Sequence, residues 1–156
     1  WTSDQYFRGR DMSDPLSKRR LKIWIRLLGV TRAAESHLRG FLRVKHETTL
    51  PRFDVMAALY RRREGMTMGE LSRVLLVSNG NSTTVVDRLE QDGLVKRTPS
   101  ETDLRTSYVT LTPDGLSLFE ILAAEHEQEI NGLFANLTDA DLEALNDILK
   151  RAGVTK

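Results

Sequence analysis

Residues 67–97 read TMGELSRVLLVSNGNSTTVVDRLEQDGLVKR, and their periodicity predicts two short helices followed by a strand. Thr67 and Glu70 have the Thr-x-x-Glu spacing in which each side chain satisfies an orphan backbone amide at the other's position, so a helix begins there. Leu71, Val74 and Leu75 share one face of it, and Val77-Ser78-Asn79-Gly80 interrupts the pattern. Ser78 suits the N-cap of a second helix, which turns Val85, Val86 and Leu89 inward and closes at Asp92-Gly93. Two short helices joined by a tight turn form a helix-turn-helix unit. Beyond Gly93 the period changes from helical to alternating over Leu94–Thr98, and it alternates again over Ser107–Leu111 after a polar stretch. That pattern predicts a hairpin with a long tip.

Working outward, Thr112-Pro113 opens a helix, proline being well placed in a first turn, and Leu116, Phe119, Ala123, Ile130, Leu133 and Phe134 form its apolar seam. Thr138, with Asp139 and Asp141 near the positive end of the dipole, starts a last helix whose stripe is Leu142, Leu145, Ile148 and Leu149 and whose end is Gly153. Upstream, residues 1–16 are polar and are expected to form a mobile arm. From Ser17, the spacing of Leu21, Trp24, Ile25 and Leu28, resumed at Leu38, Phe41 and Leu42, predicts one long helix ending before Pro51. A second helix is expected from Arg52, with Phe53, Met56, Ala57 and Tyr60 on one stripe and Gly65 as its stop. The fold class is mainly α with a small β-hairpin wing.

A chain of 156 residues suits one compact domain, or a small domain with dimerising extensions. The absence of cysteine excludes disulfides, thiolate metal ligands, a thiol nucleophile and a cysteine redox switch. No apolar run reaches the ~18 residues of a membrane span, and the charged first thirty residues do not resemble a signal peptide, so a soluble, cytoplasmic protein is expected. The start at Trp1 leads us to expect a few native residues upstream. The net charge of +1 conceals a split: residues 1–50 hold 11 Lys/Arg against 5 Asp/Glu, and residues 106–156 hold 3 against 9. Terminal segments of opposite sign attract when packed side by side, although exposed pairs contribute only about 0–1 kcal/mol each. The two ends are therefore expected to form one layer.

On the helix that starts at Ser78, an inward Val85, Val86 and Leu89 place Gly80, Thr83, Thr84, Asp87 and Gln91 outward, with Asn81 and Arg88 on the flank. Asparagine pairs with adenine, serine and threonine with either kind of base edge, and arginine with guanine or phosphate, so this face suits reading of a DNA major groove. The other reading is a solvated polar face. The hairpin tip, Pro99–Thr106, is long enough to project, and Arg105 on it can enter a minor groove with Asp103 holding the guanidinium; the other reading is a mobile surface loop.

The sequence resembles the MarR family of bacterial winged helix-turn-helix transcriptional regulators. The resemblance is carried by ELSRVLLVSNGNSTTVVDRLEQDGLVKR, by Asp103-Leu-Arg105 with Val109-Thr-Leu111-Thr112 after it, and by Pro113-Asp-Gly115, and it spans residues 20–152. It implies an intertwined helical homodimer, with residues 17–50 and 113–152 as dimerisation helices and 52–112 as the winged helix-turn-helix DNA-binding domain. It implies further that Ser78 opens the recognition helix and that Arg105 reaches the minor groove. The DNA-binding residues expected on these grounds are Ser78, Asn79, Asn81, Thr83, Thr84, Arg88, Arg97, Asp103 and Arg105. Two positions depart from the family pattern: Ser82 stands where an apolar residue is usual, and Leu104 replaces an arginine.

LPRFDVMAALYR, with GELSR and VSNGN, resembles a branch associated with aromatic-acid catabolism, which implies a repressor released by an aromatic carboxylate or its coenzyme A thioester. Arg20, Trp24, Arg26 and Tyr60 are the candidate ligand-binding residues, and Lys18, Arg19 and Lys22 add to the basic surface, for which a solvated helix face is the alternative. No cofactor is expected. His37, His46 and His126 lack metal-ligand spacing. An enzyme is disfavoured because the sequence holds no nucleophile elbow, P-loop or dinucleotide fingerprint. A winged helix used only for protein contacts is disfavoured because the recognition face carries no large apolar anchor.

Overall fold

The computed structural model describes residues 15–75 and 79–153, residues 79 and 80 by their backbone alone. Most of the expected N-terminal arm, and the expected cap Ser78, lie outside the described residues. The element order is α1 (Leu16–His46), α2 (Leu50–Arg61), α3 (Met68–Leu75), α4 (Asn79–Gln91), β1 (Val95–Pro99), β2 (Ser107–Leu111), α5 (Pro113–Leu133) and α6 (Asp139–Ala152). The strands pair antiparallel, from Val95 opposite Leu111 to Pro99 opposite Ser107.

The first helix ends before Pro51, as the periodicity predicts. Glu47 takes a left-handed conformation, with φ of 50°, and its amide donates to the Leu42 carbonyl, which closes α1 at His46. Thr49 then caps α2 by accepting from the Arg52 amide at 3.3 Å, and Pro51 sits inside the first turn, so α2 opens at Leu50, slightly ahead of the expected Arg52. The capping box at α3 forms as expected: the Thr67 amide donates to Glu70 Oε2 at 2.9 Å, and the Glu70 amide to Thr67 Oγ1 at 3.2 Å. The bond from the Thr67 amide is the main reason that the Glu70 carboxyl lies below its ordinary pKa. Beside the hairpin, Met66 bridges Val109, each amide donating to the other's carbonyl at 3.0 and 2.8 Å. An isolated bridge has no run of alternation, so the sequence pattern did not reveal it.

The core gathers Phe41 and Leu42 of α1, Val55, Met56 and Leu59 of α2, Leu71 of α3, Val86 and Leu89 of α4, Val95 and Val109 of the hairpin, and Phe119 and Leu122 of α5. The helix-turn-helix unit is thus seated on the last turns of α1 and the first half of α5. The stripe of α6 contributes no buried residue, and Leu21, Trp24 and Val30 on α1 are exposed as well. Between α1 and α5, His37 Nε2 meets Glu129 at 2.6 Å, and His46 Nε2 meets the Glu125 carboxylate. No described helix is long and apolar enough to cross a membrane.

Two contacts on α5 lead to predictions. A Cβ built on Gly115 would fall 1.9 Å from the Leu94 carbonyl oxygen, a backbone atom that cannot swing aside. Gly115→Ala should therefore destabilise the protein by about 1–3 kcal/mol in urea unfolding, the usual range for overpacking. The ring of His126 stacks on Phe53 with centroids 4.4 Å apart, and burial lowers its pKa from the ordinary 6.5. A base so lowered binds fewer protons in the fold than in the unfolded chain, so its contribution is complete above pH 6.5 and is lost as the pH falls through the lower, folded value. The urea midpoint of His126→Phe should fall less on acidification than that of the wild type, and parallel profiles would count against this assignment.

Candidate nucleic-acid interface

The inner face of α4 is set by Ser82, Val86 and Leu89, all buried, while Val85 is only partly covered. With that face fixed, Asn81, Thr83, Thr84, Asp87, Arg88 and Gln91 reach the surface. The backbone of Asn79 lies in the first turn of α4. Ser82, which departs from the apolar pattern, is 1% exposed, and its Oγ accepts a hydrogen bond from Ser72 Oγ at 3.2 Å. A polar pair thus joins α3 to α4 where an apolar contact is usual. Each hydroxyl answers the other's need for a partner, so neither is left unsatisfied in the core.

The side chain of Arg97 is engaged within the protein. Its Nη2 donates to Asp87 Oδ1 at 2.6 Å, its Nη1 to Glu90 Oε1 at 2.9 Å, and its amide to Glu90 Oε2 at 3.1 Å. Burial by itself would lower the guanidinium pKa, but the bonds to Asp87 and Glu90 outweigh it and the pKa is raised. The fork is therefore spent within the protein, where it locks β1 to the last turns of α4, and this makes Arg97 a positioning residue for the wing. Sequence reasoning missed this because Asp87, Glu90 and Arg97 belong to elements whose packing no periodicity reports. At the start of α2, Arg52 Nη2 holds Asp92 at 2.5 Å and anchors the end of α4.

The wing tip is a closed turn. The Ser100 amide donates to the Thr106 carbonyl at 2.8 Å, and the amides of Thr102 and Asp103 donate to Ser100 Oγ at 3.3 and 3.4 Å. Asp103 was expected to hold the Arg105 guanidinium. Instead its Oδ1 accepts from the Arg105 amide at 3.0 Å and its Oδ2 from the Thr106 hydroxyl at 3.1 Å. The carboxylate shapes the backbone, and Leu104 and Arg105 project into solvent from a turn that is already formed.

The structure does not bring the candidate ligand residues into one site. Arg20, Trp24 and Arg26 are exposed on α1, whereas Tyr60 packs on Phe119 with centroids 5.0 Å apart and carries the Arg63 guanidinium 5.0 Å from its ring. Among the described residues no ring contact joins Trp24 to Tyr60.

A short helix, a second helix with a small, polar outer face, and a hairpin clamped to that second helix define a winged helix-turn-helix DNA-binding module. A model of the MarR family matches residues 48–107. The Salmonella typhimurium multiple antibiotic resistance protein MarR is 33% identical over 106 residues, 67% of this chain and 73% of its own. The Bacillus subtilis HTH-type transcriptional regulator MhqR is 28% identical over 139 residues, 89% of this chain and 94% of its own. The crystal structure of a mutant MarR from Escherichia coli complexed with operator DNA superposes with a TM-score of 0.73 at 25% identity, covering 90% of this chain and 100% of that one. The chain belongs to the MarR family of DNA-binding transcriptional regulators.

Because Arg97 sets the posture of the wing, Arg97→Ala should raise the dissociation constant for specific DNA severalfold. The slope of log affinity against log salt should stay unchanged, since the same number of phosphates is neutralised. Hydrogen exchange over residues 95–111 should accelerate in the same variant. A reduced salt slope would instead return Arg97 to the DNA surface.

Proposed function

We propose that this protein is a homodimeric repressor that binds a palindromic operator and is released from it by an aromatic carboxylate or its coenzyme A thioester. The observation that carries DNA reading is the outer face of α4. It bears Asn81, Thr83, Thr84 and Arg88 opposite a firmly buried inner face, with Arg97 clamping the wing beside it. Direct readout needs rigid placement of such side chains, since base edges are distinguished by hydrogen-bond patterns. Homodimerisation is supported by the exposed stripes of α1 and α6, where Leu21, Trp24, Val30, Leu142, Ile148 and Leu149 await apolar cover. Two recognition helices related by a two-fold axis then meet major grooves about one helical turn apart. The effector reading is supported by the exposed cations Arg20 and Arg26 near Trp24 on α1, and by the resemblance of residues 50–61 to regulators of aromatic-acid catabolism. A cytoplasmic location goes with this function.

The experiment is footprinting of the region upstream of its own gene, with titration of variants against operator and random DNA. A protected inverted repeat is expected. Arg105→Ala should weaken binding to both DNAs and reduce the salt slope by about 0.9 for each phosphate left unneutralised. Asn81→Ala should spare random DNA and cost about 1–3 kcal/mol at one symmetric pair of operator positions. An operator affinity and salt slope unchanged in Arg105→Ala would show that the wing takes no part. Aromatic acids and their thioesters should raise the melting temperature and release operator, and the absence of any hit in both classes would remove the effector reading.

A further inference from the structure

Between α2 and α4 lies a cleft of about 320 Å³. That volume falls at the lower end of the range of small-molecule sites, ~300–1,000 Å³, and has room for a molecule of one or two rings. Pro51 and Val55 of α2, Leu75 at the end of α3 and Val85 of α4 supply apolar wall. Asp54, Asn81 and Thr84 supply the polar groups that would orient an occupant. The cleft shares none of its lining with Arg20, Trp24, Arg26 or Tyr60 and is a separate place on the molecule.

Charge decides what fits. Among the described residues, Asp54 is the ionisable group of the lining, and no described lysine or arginine lines the cleft with it. Its pKa is raised, first by burial and then by the neighbouring charge of Glu35 on α1, with Arg61 and Arg39 acting more weakly in the opposite sense. Glu35 is itself joined to Arg39 at 3.3 Å, so that cation is already engaged. A carboxylate guest would add like charge beside Asp54 and Glu35. A neutral guest would leave the carboxylate in the cleft wall without an opposite charge. An ammonium group offers a charge-assisted hydrogen bond to that carboxylate, which is exposed at the rim of an otherwise largely apolar wall.

We propose that the α2–α4 cleft binds a small apolar molecule carrying a protonated amine, with the ammonium at Asp54 and the apolar body between Val55, Leu75 and Val85. The site goes beyond the aromatic-acid effector and has the opposite charge preference. Its regulatory consequence rests on the DNA reading given above. Asn81 and Thr84 belong both to the cleft wall and to the face proposed to meet bases, so amine binding and operator binding are linked, and each changes the other's affinity by the same factor.

The test is calorimetry on the full chain without DNA, comparing benzylamine and 2-phenylethylamine with benzoate and benzyl alcohol as isosteric probes. Each amine is expected to bind at least about tenfold tighter than benzoate or the alcohol, as charge pairing with the carboxylate in the cleft wall implies. Asp54→Asn should erase that preference while keeping the melting temperature close to wild type. Methyl chemical shifts should move at Val55, Leu75 and Val85 on adding amine. Equal or tighter binding of benzoate, full amine affinity in Asp54→Asn, or shifts confined to other parts of the molecule would each overturn the proposal. Should the variant fail to fold, the wild-type amine-to-acid ratio and the shift map still decide. Operator titrations run alongside keep the two readings apart: intact operator binding without amine binding defeats only the cleft, and amine binding without operator binding defeats only the DNA function.

Discussion

The constraint on which the posture of the recognition helix most depends is one crowded junction, where the Gly93–Leu94 backbone meets the start of α5. The Leu94 amide closes α4 by donating to the Leu89 carbonyl at 2.9 Å, while the Leu94 carbonyl accepts from the Thr112 amide at 3.0 Å. The Thr112 hydroxyl reaches the Gly93 carbonyl at 2.6 Å and also accepts from the Gly115 amide at 3.0 Å, capping α5. Gly93 adopts a φ of 74°, in the left-handed region that favours glycine, which lets the chain reverse from helix to strand in the space available. Gly115 has no side chain because the Leu94 carbonyl occupies the place of its Cβ. The helix that faces outward and the helix that leads back to the terminal layer are therefore held by the same few backbone groups, and neither can move far alone.

Around this junction the division of labour follows from charge and burial. Apolar residues of every element from α1 to α5 fill one core, so the recognition helix has a fixed inner face and a fixed outer face. The acidic groups on α4 are not unopposed, because Arg97 pairs with both Asp87 and Glu90 and offsets one of their two charges while it holds the wing. Without that brace two carboxylates beside a phosphate surface would repel the ligand that the neighbouring side chains suit. The Ser72–Ser82 pair has a comparable effect inside, joining the two helices by a hydrogen bond whose geometry is more demanding than apolar contact. The terminal helices show the opposite condition: α6 buries none of its stripe, and its apolar residues stay exposed within one chain.

What the sequence by itself determined is local or periodic in origin. The capping boxes at Thr67 and Thr138, the proline-led start of α5, the glycine stop of α4 and the alternation of the two strands depend on residues within a turn or two of one another, and each formed where its spacing predicts. The wing signature and the helix-turn-helix stretch carried the family for the same reason, since their motif is contiguous. Pro51 serves both boundaries, since it lies beyond the end of α1 and in the first turn of α2, where the Thr49 cap opens the helix. What tertiary structure alone decided involves partners far apart in the chain or a choice between atoms of one neighbour. Met66 pairs with Val109, Arg97 spends its fork on α4, Asp103 bonds backbone in place of guanidinium, and α2 and α4 enclose a cleft with a carboxylate in its wall. The physical reason is that helical and strand periods report which side of an element faces inward, but not which neighbour it meets there. A charged side chain's role depends on that neighbour.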